Sequence, residues 1–148
     1  MNDPLGARVG GYCSDLSRTL FLGEPAPALR QIYEVVLTAQ RAALQGIRTE
    51  MTAVEADALA RTIIAEAGYG AYFGHGLGHG VGLAIHEYPT ISARSTDTLG
   101  EMMVFTVEPG IYVPGVGGVR IEDTVVLRDG SAIALTCTDK DNPIVSLP

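Results

Sequence analysis

The spacing of apolar residues changes at Gly68, and this change constrains the fold more than any other feature of the sequence. From Pro27 to about Gly46, apolar residues recur at the three- and four-residue spacing of a helix. Thr52 and Glu55 have the pattern of a capping box, which predicts that a second helix starts there and runs to about Ala67. Gly68 is suited to ending that helix.

Each predicted helix has an apolar stripe that we expect to be buried. In the first helix the stripe comprises Leu29, Ile32, Tyr33, Val36, Ala39 and Ala43. In the second helix it comprises Val54, Leu59, Ile63, Ile64 and Ala67.

After Gly68 the apolar pattern acquires the two-residue period of strands. Residues 102–113, 117–130 and 131–137 are predicted strand segments, and residues 9–22 are also expected to be extended. Pro114–Gly118 is expected to be a loop, and Asp129-Gly130 is a strong hairpin signal. The order of elements predicts one α+β domain over residues 1–148, with a curved, mostly antiparallel sheet and two helices on its outer face.

The composition limits the partners and the compartment. The 148 residues carry 10 Lys and Arg against 17 Asp and Glu, for a net charge of −7, and no basic run is present. We therefore expect neither nucleic acid nor a membrane as a partner. No apolar run reaches the length of a membrane span, and Cys13 and Cys137 are expected to be reduced thiols. These features favour the cytoplasm.

The chain's 3 histidines lie between His75 and His86, where every even position from Gly74 to Gly82 is glycine. Each glycine disfavours a helix by about 1 kcal/mol relative to alanine, so this segment is expected to be extended. On a strand, one side would carry His75, Leu77, His79, Val81 and Leu83, and the glycines would line the other. The side without side chains would let another backbone segment approach closely.

Strand geometry separates the two histidines of this face. Residues four apart on a strand are about 13 Å apart, whereas metal–nitrogen bonds are about 2 Å long. One ion could not bind both His75 and His79 from a straight strand. We expect one to be a ligand and the other to contact substrate or transfer a proton; the alternative is that both are polar loop residues without a function.

Carboxylates within apolar strands are the natural partners of these histidines. Asp15, Glu108 and Glu122 each lie in or beside an apolar strand segment, where an unpaired charge costs several kcal/mol. Together with imidazole they predict a site for Mn, Co, Fe or Zn, and such sites can hold two ions. Each alone could instead face water, and Arg120 could pair with Glu122 on one strand face. Asp123, on the opposite face, is expected to be solvated.

Four motifs, in order, resemble those of the proline-specific metallopeptidases, the family of Xaa-Pro dipeptidase (prolidase) and aminopeptidase P. Residues 75–87 (HGLGHGVGLAIHE) match its histidine signature, and residues 107–112 (VEPGIY) and 118–123 (GVRIED) resemble two further motifs. Residues 6–19 resemble the first motif. The forms EPGIY and RIED are more similar to the Xaa-Pro branch than to the methionine aminopeptidase branch.

The resemblance implies the pita-bread fold, in which two similar halves surround a curved sheet with helices outside. It also implies a site for two divalent metal ions, often manganese, cobalt or zinc. By this resemblance Asp15 and Glu122 would bridge the ions, and His79 and Glu108 would complete the coordination of one of them. Glu108 would also manage the proton of the bridging water.

The family's substrates are Xaa-Pro peptides, which are hydrolysed at the bond that precedes proline. The resemblance places His75 and His86 beside the substrate, with Tyr112 and Arg120 supporting the site. It leaves dipeptidase and aminopeptidase P activity as open alternatives. A non-catalytic binding or assembly module on the same fold, and a metal-free hydrolase like creatinase, are the competing interpretations.

Two departures from the family pattern bear on activity. Pro4 stands where the family has an aspartate, and Asp3 is out of register. The family's catalytic domain also has a further portion before this point, so residues 1–148 resemble its C-terminal part. We therefore expect one ion or none, impaired activity, and either a homo-oligomer or pairing with a separate N-terminal segment that covers the exposed sheet.

Overall fold

The computed structural model describes residues 6–146, so Asp3 and Pro4 lie outside the described residues. Within that range the chain forms helices α1 (Pro27–Gly46) and α2 (Ala53–Glu66) and a short 3₁₀ turn at Gly70–Tyr72. The strands are β1 (Arg8–Val9), β2 (Tyr12–Cys13), β3 (Phe21–Leu22), β4 (Gly78–Gly80), β5 (Glu87–Ile91), β6 (Val104–Val107), β7 (Gly110–Val113), β8 (Gly117–Arg120), β9 (Asp123–Arg128), β10 (Ser131–Ala134) and β11 (Ile144–Val145).

The main sheet has five strands in the order β10-β9-β6-β4-β5, and every neighbouring pair is antiparallel. β7 and β8 form a separate antiparallel hairpin, β1 pairs with β2, and β3 pairs with β11 in parallel. The predicted α+β fold with a mostly antiparallel sheet is confirmed.

The chain leaves the main sheet after Val107 and rejoins it at Asp123, directly opposite. Val107 at the end of β6 pairs with Asp123 at the start of β9, and the next ladder pair joins Gly110 to Arg120. The residues between these pairs belong to neither ladder. Glu108 and Glu122 therefore follow and precede strands rather than lying inside them, and this corrects the expectation that Glu122 sits within a strand.

Both helices begin and end close to the predicted positions. The capping box of α2 is confirmed, because Glu55 N donates to Thr52 Oγ1 over 3.3 Å and Thr52 N donates to Glu55 Oε2 over 2.9 Å. The helices pack against each other; α1 also contacts β6, β7, β8 and β10, and α2 contacts β5. Within the described residues, neither helix combines the length and apolarity needed to cross a membrane.

Helix α2 buries only part of its predicted stripe: Ile64 is buried, Leu59 and Ile63 are partly buried, and Val54 and Ala67 are exposed. Its buried residues are Ala53, Ala56, Asp57, Ala60 and Ile64, whereas Val54 is 40% exposed. The small alanine face allows α1 and α2 to approach closely; a Cβ on Gly46 would lie 2.8 Å from Leu59 Cδ1. The α1 stripe is confirmed apart from Leu29, which is only partly buried, and it also includes Gln40.

The predictions for the turns agree with the structure better than the prediction for the N-terminal extended segment does. β9 and β10 pair across Asp129-Gly130 as predicted, and turn residues at 114–116 lead directly into β8. The segment 9–22, expected to be one extended stretch, holds only short strands, and residues 14–20 have no strand pairing. Hydrogen bonds from Glu122 N to Ser17 O and from Thr124 Oγ1 to Asp15 O hold that segment beside β9.

Candidate metal centre

The glycines of the histidine segment lie against other backbone, as predicted. A Cβ on Gly78 would lie 1.9 Å from Thr106 O, and one on Gly80 would lie 2.0 Å from Tyr88 O. The extended part is shorter than expected, because β4 covers only Gly78–Gly80 and Leu83 is 60% exposed. The close packing on β5 and β6 fixes the path of the chain on both sides of His79.

Asp15, His79 and Glu122 meet at the break between the two ladders. Each offers one ligand atom, and these atoms all lie within 4.8 Å of one another. Asp15 is 4% exposed and Glu122 is 2% exposed. Three parts of the chain that are distant in sequence thus supply two carboxylates and one imidazole, a ligand set that suits a divalent transition-metal ion.

Glu108 contacts the histidine of this cluster. His79 Nε2 lies 3.2 Å from Glu108 Oε1 and 3.7 Å from Asp15 Oδ2. Thr106 Oγ1 donates to Glu108 Oε1 over 2.9 Å, and Arg120 Nη1 donates to Glu108 Oε2 over 3.2 Å. Arg120 thus pairs with Glu108 rather than with Glu122, the partner that the strand pattern had also allowed.

The cluster concentrates negative charge away from water. Burial raises the pKa of Glu122 to about 7, and the carboxylates of Glu108 and Asp15 add to the rise, against a hydrogen bond from Ser17. Burial also raises the pKa of Asp15, and Glu108 adds to that rise against the attraction of His79. A divalent cation would remove this repulsion, so the residues present fit the metal that the sequence predicts.

His79 and Glu108 shift the pKa of each other in opposite directions. Burial lowers the pKa of His79, but hydrogen bonds to Glu108 and to Gly80 O outweigh burial, so the pKa is raised overall. Burial raises the pKa of Glu108, but hydrogen bonds from His79 and Thr106 outweigh burial and the pKa is lowered. The two shifts agree, because each group stabilises the charged form of the other.

Of the remaining predicted site residues, His86 and Arg120 line a cavity of about 210 Å³ together with the cluster, whereas His75 and Tyr112 do not line it. His86 is exposed, and its ring centre lies 4.1 Å from that of His79. His75 lies apart from the cluster, with its ring centre 5.7 Å from that of Tyr112. The cavity is lined by Asp15, Ser17, His79, Ile85, His86, Glu108, Arg120 and Glu122.

Comparison with known proteins identifies the family. Residues 4–129 match the model of metallopeptidase family M24. The chain belongs to metallopeptidase family M24. The resemblance predicted from the four motifs is confirmed, and membership of this family implies the use of a divalent metal ion.

Several relatives of this M24 chain carry proline-related names. It is 53% identical to the Xaa-Pro dipeptidase of Pyrococcus furiosus over 137 residues, which are 93% of this chain and 39% of that relative. The solved prolidase from Pyrococcus furiosus superposes with a TM-score of 0.90, covering 92% of this chain and 40% of that chain. An X-Pro aminopeptidase from Thermotoga maritima is 44% identical with a TM-score of 0.90, covering 95% and 40%.

These likenesses support the predicted pita-bread type of fold. The chain spans about 39% of the length of the curated relatives it matches. Names that refer to dipeptidases and to an aminopeptidase occur at similar levels of likeness, so the comparisons do not separate those two activities.

The M24 chain buries one charged side chain that the sequence predicted to face water. Asp123, expected to be solvated, is 1% exposed. Its carboxylate accepts hydrogen bonds from Arg18, Gln40, Thr136 and Lys140. Gln40 on α1 and Lys140 in the C-terminal segment cover this side chain, which therefore does not reach water. No local spacing links Asp123 to Arg18, which lies 105 residues away.

Proposed function

We propose that this chain forms the metal-binding part of a peptidase that hydrolyses the bond preceding proline in Xaa-Pro peptides. The observation that carries the proposal is the convergence of Asp15, His79 and Glu122 beside Glu108 in one cavity. The 53% identity to an Xaa-Pro dipeptidase supports the choice of substrate class.

Asp15, His79 and Glu122 would hold the divalent cation, and Glu108 would complete the coordination of that cation. Mn is the first choice, from the family resemblance. Co and Zn are alternatives, because carboxylate-rich sites accept several ions. When bound, such an ion lowers the pKa of a coordinated water and polarises the scissile carbonyl.

Glu108 is the candidate for moving the proton. One of its oxygens faces His79 and the cavity, and Arg120 and Thr106 hold the carboxylate in a fixed orientation. Glu108 would accept a proton from the attacking water and deliver it to the departing proline nitrogen, as a general base and then a general acid.

His86 and His75 are the candidates for contacting the substrate. His86 is exposed beside His79 at the cavity, where it would donate a hydrogen bond to the substrate carbonyl. His75 and Tyr112 lie further from the cluster, and Tyr112 is 36% exposed. These two side chains would orient the part of the peptide that lies away from the reacting bond.

Hydrolysis assays test this proposal. We expect weak Mn(II)-dependent cleavage of an Xaa-Pro dipeptide or an Xaa-Pro-containing tripeptide, reduced as the Pro4 departure predicts, and no cleavage of matched peptides with alanine in place of proline. Glu108→Gln should lower the rate by at least about a hundredfold, in the range expected for loss of an acid–base group. Glu34→Gln is the matched control, because Glu34 is exposed on α1, away from the cavity.

The choice of peptide cleaved also separates dipeptidase from aminopeptidase P activity. A folded chain that binds Mn(II) but cleaves neither peptide would overturn the peptidase proposal. It would favour the non-catalytic binding or assembly module on the same fold.

A further inference from the structure

The side chains of Asp57 and Arg61 on α2 form a partly buried, two-bonded ion pair beside the histidine segment, called the fork here. Arg61 Nε lies 2.5 Å from Asp57 Oδ2, and Arg61 Nη2 lies 2.9 Å from Asp57 Oδ1. Asp57 is 1% exposed, and the Arg61 side chain is 28% exposed. Neither residue lines the cavity of the metal centre, and neither is used in the proposed chemistry.

The rest of the hydrogen bonds of this fork reach one short stretch of main chain. Arg61 donates to Phe73 O over 2.9 Å and to His75 O over 2.7 Å. Asp57 Oδ1 accepts a hydrogen bond from Leu77 N over 3.0 Å. The Arg61 guanidinium also lies over the Phe73 ring, 4.1 Å from its centroid. Three alternate residues, 73, 75 and 77, are thus held by one ion pair.

The His75 ring packs against this anchored stretch of chain. The ring centre is 5.0 Å from that of Phe73 in an edge-on contact. His75 Nδ1 lies 2.8 Å from Gly76 O, so Nδ1 is the donor and carries the proton. His75 Nε2 is then an acceptor, and it is buried without a hydrogen-bond partner among the described residues. An unpaired buried acceptor is costly, and it persists only where the surroundings hold it in place.

We propose that Asp57 and Arg61 are positioning residues that hold the His75 ring, with Nε2 unpaired, between the rings of Phe73 and Tyr112. The significance of that geometry for catalysis rests on the proposed peptidase function, but the geometry itself does not. A purely apolar contact could attach α2 to the segment without the cost of burying charge. The fork adds a defined orientation of the main chain on both sides of His75.

The test uses NMR on the chain without added metal or substrate, so that it does not depend on peptidase activity. The variants are Asp57→Asn, Arg61→Ala and Arg61→Lys; lysine keeps the charge but cannot form the fork. Arg41→Ala is the matched control, because Arg41 pairs with Asp141 at the surface. The readouts are the ring resonances of His75, His79 and His86, hydrogen exchange at the Leu77 amide, and thermal unfolding.

We expect all three fork variants to shift the His75 ring resonances more than those of His86. Exchange at the Leu77 amide should accelerate about tenfold in Asp57→Asn, because its hydrogen bond then reaches a neutral amide oxygen in place of a carboxylate, and charged acceptors form the stronger bond. Arg41→Ala should change neither readout. The proposal is overturned if folded Asp57→Asn and Arg61→Lys proteins retain the wild-type His75 resonances. It is equally overturned if exchange accelerates uniformly across α2 and the sheet, which would indicate a general stabilising role.

Discussion

Arg18 Nη2 lies 2.6 Å from Asp123 Oδ1, and the two side chains are only 7% and 1% exposed. Arg18 also donates to the carbonyl oxygens of Ser17 and Glu122. The pair therefore joins the segment that carries Asp15 to the strand that follows Glu122. Lys140 and Thr136, in the C-terminal segment, donate hydrogen bonds to the same Asp123 carboxylate. One buried charge outside the metal centre thus holds together the segments that build it.

Replacing Asp123 with asparagine should strongly destabilise the fold. Removing one partner of a buried ion pair leaves the other charge uncompensated, and typically costs about 3–5 kcal/mol. Urea unfolding would measure the loss in the free energy of unfolding. Asp129→Asn is the matched control, because the Asp129 side chain is 90% exposed and asparagine tolerates its positive φ of 54°. Equal stability of the two variants would contradict the structural role of Asp123.

Alkaline pH should destabilise the protein through Tyr33. Burial raises the pKa of Tyr33 above its usual value near 10, and its hydroxyl donates to Lys140 O over 2.9 Å. Above pH 10 the unfolded chain releases this proton while the folded chain retains it, so stability falls as the pH rises. Unfolding curves from pH 8 to 11 should therefore show a shallower decline in Tyr33→Phe. An unchanged slope in that variant would remove Tyr33 as the cause.

Added Mn(II) should stabilise the chain through the Asp15, His79 and Glu122 cluster. A ligand at a hundred times its dissociation constant adds about 2.7 kcal/mol to the free energy of unfolding. Glu122→Gln and Asp15→Asn should lose most of the Mn(II)-induced rise in Tm, whereas the exposed-residue variant Glu24→Gln should retain it. Calorimetric titration should find one tightly bound ion per chain; two tight ions would contradict the expectation drawn from Pro4.

Gly78→Ala should disrupt the sheet beside His79. The added Cβ would lie 1.9 Å from Thr106 O, so β4 and β6 would have to separate. Overpacking a core typically costs about 1–3 kcal/mol, and a backbone clash of this size belongs at or above the upper end. Gly74→Ala is the control within the same segment, because nothing lies within 4 Å of its added Cβ. Thermal unfolding of the two variants compares them directly, and similar Tm values would refute the close approach.

The chain should self-associate through an apolar groove of about 590 Å³ next to β2. Its lining includes Tyr12, Tyr88, Met102 and Leu135, which are 64%, 59%, 65% and 57% exposed. A contiguous patch of exposed apolar side chains favours binding to another protein surface. In a purified sample that surface belongs to a second copy of the chain. Light scattering on eluting protein should give a mass above 15.6 kDa that falls in Leu135→Asp. A stable monomer at high concentration would contradict this prediction.

Local sequence patterns determined much of the architecture. The bounds of α1, the Thr52 cap of α2 and the Asp129-Gly130 hairpin all depend on contacts between residues close in sequence, and the sequence predicted all three. The close approach of other backbone to Gly78 was also predictable, because glycines at alternate positions of a strand leave one of its faces without side chains. The four motifs were enough to indicate the family.

The tertiary structure alone decided which charges meet. Arg120 pairs with Glu108 because the β7–β8 hairpin brings them together, and Asp123 is buried because two distant segments cover it. The buried stripe of α2 and the contacts of the Asp57–Arg61 pair with the main chain of residues 73–77 likewise depend on what packs against that helix. A sequence records periodicity and residue chemistry, but long-range pairing follows from how the strands leave and rejoin the sheet. That path brings Asp15, His79 and Glu122 together.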